Sequence, residues 1–315
     1  MPLLPRLVIF LALLATMSSA QTITETFGSG ANAFSMEFVT ISNPNNPPDT
    51  TGTPNPVGSV AYTYNLGKYE VSREQITKAN TAGNLGITLE DMSNYGGNGV
   101  NRPATGVSWY EAATYVNWLN TSTGNTAAYK FDGSGNFQLW SAGDAGYNEK
   151  NLFRNSLAKY VIASSAEWYK GAYGNLDGTW NNYATGSDSA PTPVVSGTAA
   201  NTAVYDHSFY TGPADINSAG GLSPWGTMAQ GGNVREWTET ALDGSNNTAG
   251  ENRELRGGAW NNNSNNLDAS NRNNNIPSDG QINYGFRVVN VPEPTAISLL
   301  ALGGLALAIN KRRRA

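Results

Sequence analysis

From Gly174 to Gly232 the chain is dominated by Gly, Ser, Thr, Asn and Pro, with isolated aromatics at Trp180, Tyr183, Tyr205, Phe209, Tyr210 and Trp225. Neither helical nor strand periodicity runs through it. So long a connection inside a compact domain ordinarily counts against the assignment of elements around it. A fold that is loop-rich by construction, whose loops pack through their own aromatic side chains, accommodates it.

The flanks are regular. "FSMEFVTI" (Phe34 to Ile41) alternates as a strand, and "GSVAYTYNLGKYEVS" (Gly58 to Ser72) reads as another, with an Asn/Pro/Thr-rich loop from Asn43 to Pro56 between them. Capping boxes at Ser72/Gln75, Ser108/Glu111 and Ser164/Glu167 mark three helix starts. The second of these helices puts Ala112, Tyr115, Val116 and Leu119 on one face, with Val107 placed to staple onto Ala112. Strands return at Asn233 to Glu239, Leu255 to Trp260 and Tyr284 to Val291. With 39% hydrophobic residues, no internal repeat and one composition regime, a single domain from about Ala31 to Asn290 is the economical reading.

Both ends carry targeting signals. Arg6, the apolar run Leu7 to Leu14 and Ser18-Ser19-Ala20 have the order of a secretory signal peptide over residues 1–20, which implies export with cleavage after Ala20. Residues 291–315 place Pro292-Glu293-Pro294 before an apolar run, Ala296 to Ile309, and the basic end Lys311 to Arg314. That run is short of the roughly 20 residues a membrane helix needs, and the cations would hold its end on the cytoplasmic side. The tail resembles the PEP-CTERM sorting signal of Gram-negative bacteria. The resemblance implies an exosortase-type partner, transient membrane tethering, tail removal, and a cell-surface or extracellular setting rich in exopolysaccharide.

Without Arg6 and the four tail cations, 14 Lys and Arg face at most 24 Asp and Glu, a net charge near −10. So acidic a surface argues against nucleic acid or anionic membrane as partner. The chain has no Cys, which excludes disulfides, thiol chemistry and zinc or iron–sulfur sites built on thiolates.

Six phrases stand in order: "GKYEVS" (67–72), "VSWYEAATYVNWLN" (107–120), "SSAEWYKGAYG" (164–174), "GGNVREWTE" (231–239), "LRGGAWNNN" (255–263) and "NYGFRVV" (283–289). Together they resemble the formylglycine-generating enzyme (sulfatase-modifying factor) family across nearly the whole mature chain. The resemblance implies one α+β domain, residues 21–290, with a C-type-lectin-like core, small sheets and two or three helices. It also implies two copper-binding cysteines shortly after "RGG". The first matches Asn262 and the second falls near Leu267, so the oxidase chemistry has no ligands here. A second branch, resembling iron-dependent sulfoxide synthases, needs a histidine cluster, and His207 is the only His in the chain.

On a period of two, Val234, Glu236 and Thr238 share one strand face, and Arg235, Trp237 and Glu239 the other. In the family this motif borders a calcium site, which carries over onto Glu236 and the carbonyls of Gly232 and Val234. The residue three before Gly232 is Ala229, which offers no side-chain oxygen. The reading this favours is that Glu236 accepts backbone N–H groups or pairs in the core with an Arg such as Arg256 or Arg287. Calcium is the one cofactor left open. Trp237 and Trp260 read as core aromatics. The Asn-rich stretch, Asn261, Asn262 and Asn263 foremost, suits a self-bonded turn or a surface for sugar hydroxyls.

These features point to a non-catalytic exported surface or matrix protein that binds polysaccharide or a protein partner through its loops. The alternative is a carboxylate-based hydrolase of exopolysaccharide, using two acids from Asp206, Asp215, Glu236, Glu239 and Asp243.

Overall fold

The computed structural model describes residues 21–291. The stretch read as a signal peptide (1–20) and the one read as a sorting tail, with Pro292, Glu293 and Pro294, lie outside the described residues. Strands β1 (Thr22–Phe27), β2 (Phe34–Ile41) and β3 (Tyr64–Gly67) precede helices α1 (Arg73–Gly83) and α2 (Trp109–Ser122). A short hairpin, β4 (Lys130–Phe131) and β5 (Phe137–Gln138), leads to β6 (Tyr160–Ile162) and α3 (Ser165–Tyr173). Two-residue strands β7 (Thr192–Pro193) and β8 (Thr202–Ala203) interrupt the long loop region. Then follow β9 (Arg235–Ala241), β10 (Arg253–Arg256), β11 (Asn273–Asn275), β12 (Tyr284–Phe286) and β13 (Val288–Asn290).

All three capping boxes are formed. Ser72, Ser108 and Ser164 each accept the backbone N–H three residues on, and Gln75, Glu111 and Glu167 reach back to the cap's own N–H. Each pair satisfies two donors that a helix start leaves without partners. Ala112, Tyr115, Val116 and Leu119 are fully buried, and α2 packs against β6. Its first residue, Trp109, donates its indole N–H to the Thr238 carbonyl on β9 at 3.0 Å, which ties helix to strand.

One sheet has five strands in the order β1-β2-β3-β13-β6, and the other four in the order β11-β10-β9-β12. Four strand expectations are corrected. β1 was not anticipated, yet its alternating "TITETF" pairs antiparallel with β2 from Phe34 to Val39. The strand read over Gly58 to Ser72 is ordered as strand only at Tyr64–Gly67. The one read from Leu255 to Trp260 ends at Arg256, because Gly257 (φ +87°) turns left-handed and cannot continue an extended chain. The run from Tyr284 to Val291 is two strands in two sheets: β12 pairs parallel with β9, β13 antiparallel with β3 and β6, and Arg287 sits between them.

The loop-rich middle packs as expected, through small clusters of its own. Val204, Met228, Val234 and Trp260 form one, and Ala203, Tyr205 and Leu267 another, both apart from the main core. This is a mixed α+β fold whose irregular half has cores of its own.

Candidate functional site

The opening of β9 holds a fully buried charge cluster. Arg287 Nε donates to Glu236 Oε2 at 2.6 Å and its Nη2 to Oε1, with neither side chain exposed. The same guanidinium donates to the carbonyls of Gly67 (2.8 Å) and Met228 (2.9 Å), and Trp168 Nε1 donates to Glu236 Oε2 at 2.7 Å. Beside them lies Glu70, whose carboxylate oxygens accept from Asn233 Nδ2 (2.6 Å) and the Val234 N–H (3.1 Å). Burial, and then the negative charge of Glu236, push the Glu70 carboxyl well above the ordinary carboxylate range, against the pull of Arg287.

The other face of β9 carries a second cluster. Glu239 accepts from Arg154 Nε (2.8 Å), the Tyr129 hydroxyl (2.8 Å) and Asn151 Nδ2 (2.6 Å). Arg154 also donates to Glu167 Oε2 at 2.9 Å, and Tyr62 donates its hydroxyl to Glu167 Oε1 at 2.6 Å. Burial pushes the Glu167 carboxyl up, but Arg154, foremost among its partners, together with the Tyr62 hydroxyl and the Ser164 N–H, holds it at about 2.

The five acids considered for a hydrolase are therefore not one constellation. Glu236 and Glu239 point to opposite faces of β9, each bound to an arginine. Asp206 is exposed at φ +59°, Asp215 is half-buried, and Asp243 caps the Ser245 N–H at 2.8 Å. Among the described residues no group of three or more His, Asp or Glu gathers as a metal site.

The calcium donor set inferred from the sequence does not fit that ion. Its one carboxylate, Glu236, is neutralised by Arg287, the core pairing that the sequence reading favours. Ala229 borders a cavity of about 10 Å³, lined also by Thr185, Thr227, Gln230 and Gly231, with room for one water and no acid to charge it. Arg256 pairs instead with Glu254, which also accepts from Arg272 and Ser165.

The Asn loop is held from inside. Asn262 Oδ1 accepts from Arg235 Nη2 (2.9 Å) and the Ala259 N–H (3.0 Å), Asn263 Oδ1 from the Asn265 N–H (3.1 Å), and Asn261 Oδ1 from Asn283 Nδ2 (3.3 Å). All three side-chain oxygens are thus used, and among the described residues none of the three amide nitrogens donates. His207 donates its backbone N–H to the Trp260 carbonyl, and its Nε2 is enclosed without a partner among the described residues.

The residues that sequence reading passed over are Glu70, Arg154 and Tyr95. Tyr95 stacks parallel to Tyr210, with centroids 5.8 Å apart, although Tyr210 itself is noted above only as an isolated aromatic. The glycines at 96, 97 and 212 were the available signal of a tight loop contact.

The fold defines a formylglycine-generating-enzyme-like protein, in a chain that contains no Cys. Residues 33–292 match the family model for the sulfatase-modifying factor enzyme 1-like domain, and the chain belongs to that family. Among solved structures it is similar to Treponema denticola variable protein 1 (18% identity, 86% of this chain and 99% of that one, TM-score 0.58). It is also similar to CarF (17%, 81% and 98%, TM-score 0.59) and to PvdO from Pseudomonas aeruginosa (19%, 85% and 98%, TM-score 0.52). No curated protein matches. At these identities the structural likeness carries the fold alone.

Proposed function

We propose that this chain is a non-catalytic exported surface or matrix protein that binds polysaccharide or a protein partner through the loops around Asn261 to Asn263. One observation carries the reading: the position matching the family's first thiolate is an amide whose oxygen anchors Arg235, while the amide nitrogens of Asn261, Asn262 and Asn263 remain as a row of donors. With no Cys in the chain, thiolate-held copper has no ligands. A loop whose side-chain oxygens already accept and whose amide nitrogens donate to no described residue suits hydroxyl and carbonyl oxygens.

The chain path supports display from a surface. Tyr284 pairs with Arg235 beside the Asn loop, and the chain then runs through β12 and β13 to Asn290. At about 3.3 Å per residue that is up to roughly 20 Å of strand between the loop and the start of the sorting tail. In this reading an exosortase-type enzyme removes the tail and the loops face outward.

The test is saturable retention of the full chain by cell-surface matrix, with the matrix pretreated with protease in one arm and periodate in the other. Loss of retention in either arm names the partner class. Failure to be retained by untreated matrix counts against the proposal. The intact mass of the surface form would show whether Met1 to Ala20 and the basic tail are removed.

A further inference from the structure

Tyr210 is 70% exposed and Phe209 39% exposed, side by side on a surface loop. Neither is loose. Tyr95 lies parallel to Tyr210 (5.8 Å, 5° between planes) and edge-on to Phe209 (5.0 Å, 72°). Phe209 in turn stacks on Trp260 at 6.2 Å, and Trp260 Nε1 donates to the Phe209 carbonyl at 3.0 Å. The backbone beneath is fixed as well. Arg102 Nη1 donates to the Pro213 carbonyl, Thr211 N–H to the Ser208 carbonyl (2.9 Å), and the Tyr95 and Gly97 N–H groups both to the Met92 carbonyl (2.8 Å). The Asp206 and His207 N–H groups donate to the Asn262 and Trp260 carbonyls (2.7 and 2.9 Å), so the segment that leads into Phe209 lies beside the Asn segment.

Large exposed aromatics held in one geometry have already lost the rotamer freedom that binding would otherwise remove. We infer that Tyr95, Phe209 and Tyr210 form a stacking platform for the rings of a neutral polysaccharide chain, with the amides of Asn261 to Asn263 bonding its hydroxyls. The inference rests on the polysaccharide branch of the function proposed above. Three features select this occupant. An aromatic face suits the C–H face of a pyranose ring, since its negative π-cloud meets weakly positive hydrogens. The adjacent amides suit hydroxyls. In the same segments Asp206 and Asp91 are exposed and would repel an anionic polymer, whereas Arg102 is half-buried and donates to the Pro213 carbonyl.

The experiment is affinity electrophoresis of the full chain through gels containing dextran, xylan, laminarin or, as the anionic comparison, alginate, with Tyr210→Ala, Phe209→Ala and Asn263→Ala run beside wild type. Tyr210 is mostly exposed, so its alanine variant should keep the native fold, and its circular dichroism checks this. The expected result is retardation in at least one neutral gel, weakened about tenfold in Kd by Tyr210→Ala, a ratio typical of a hot-spot aromatic. Retardation that Tyr210→Ala and Phe209→Ala leave unchanged would overturn the platform while the polysaccharide reading survives. No retardation in any neutral gel, or retardation in alginate alone, would overturn both. Tyr210-dependent dimerisation in sedimentation without retardation would make the occupant a second copy and overturn the inference.

Discussion

Arg287 meets Glu236 side-on in the interior, through Nε and Nη2, neither side chain reaching solvent, at the junction where the chain leaves one sheet for the other. The pair is more than a charge contact, because the remaining donors of Arg287 close the carbonyls of Gly67 and Met228. Removing one member strands a buried charge, which typically costs about 3–5 kcal/mol. Arg287→Met should therefore lower stability by that order, and Glu236→Gln by a similar amount. Because Glu236 is already neutralised, a chelator should move the Tm of the wild-type chain by less than about one degree in a thermal melt. A clear calcium-dependent rise in Tm would show that Glu236 turns from Arg287 toward a cation, contrary to the geometry.

Glu70 makes a separate pH prediction. Its folded-state carboxyl is pushed up by burial and by Glu236, so the native state keeps a proton that the unfolded chain releases above about pH 4.3. A raised folded value means that this group's contribution is fully present below that pH and falls as pH rises. The loss is up to about 1.4 kcal/mol per pH unit until the folded group itself ionises. Glu70→Gln cannot ionise, so its stability relative to wild type should climb in urea titrations as pH rises above the ordinary Glu range. A constant difference over that rise would mean that Glu70 is charged in the core.

Glu167 works in the opposite sense. Held at about 2 by Arg154, Tyr62 and the Ser164 N–H despite its burial, it contributes stability that is fully present above its ordinary pH range and is lost as pH falls toward 2. Glu167→Gln should therefore flatten the acid limb of the stability curve while lowering stability at neutral pH by roughly 3–5 kcal/mol. Part of that loss is the capping box, since Glu167 Oε2 also accepts the Ser164 N–H at 2.7 Å. If wild type and variant unfold at the same acid midpoint, the Glu167 carboxyl is not held below its ordinary range.

What could be read from the sequence follows interaction range. The three capping boxes span three residues each, so their chemistry is complete within a short window and all three formed. The family's fold was legible for a related reason: six local phrases keep their order along the chain. Glu70 and Val234 are 164 residues apart, and no local pattern signals that one will satisfy the other. Arg287 interrupts an apolar run that reads as one strand, and only the position of Glu236 explains why the chain changes sheets there. Tyr95 was overlooked for the same reason, its partners Phe209 and Tyr210 being supplied by a distant loop.

Gly212 tests whether that aromatic surface depends on its backbone. Its φ of +71° is left-handed, and a Cβ built there would lie 1.7 Å from the Tyr95 carbonyl oxygen. Rotating a side chain gives no relief, because the obstructing atom is main chain. Gly212→Ala should therefore push the loop at 208–213 away from the loop at 92–97, with left-handed strain of about 1–2 kcal/mol added to the clash. The main core lies elsewhere, so the cost should stay local: a Tm drop of a few degrees, together with faster amide exchange at Tyr95 and Gly97, whose N–H groups bond the Met92 carbonyl. Exchange at Leu119 or Val161, both fully buried in the main core, should be unchanged. Equal acceleration at all four amides would mean that the two loops unfold only with the whole domain, and that the platform is no stiffer than the protein that carries it.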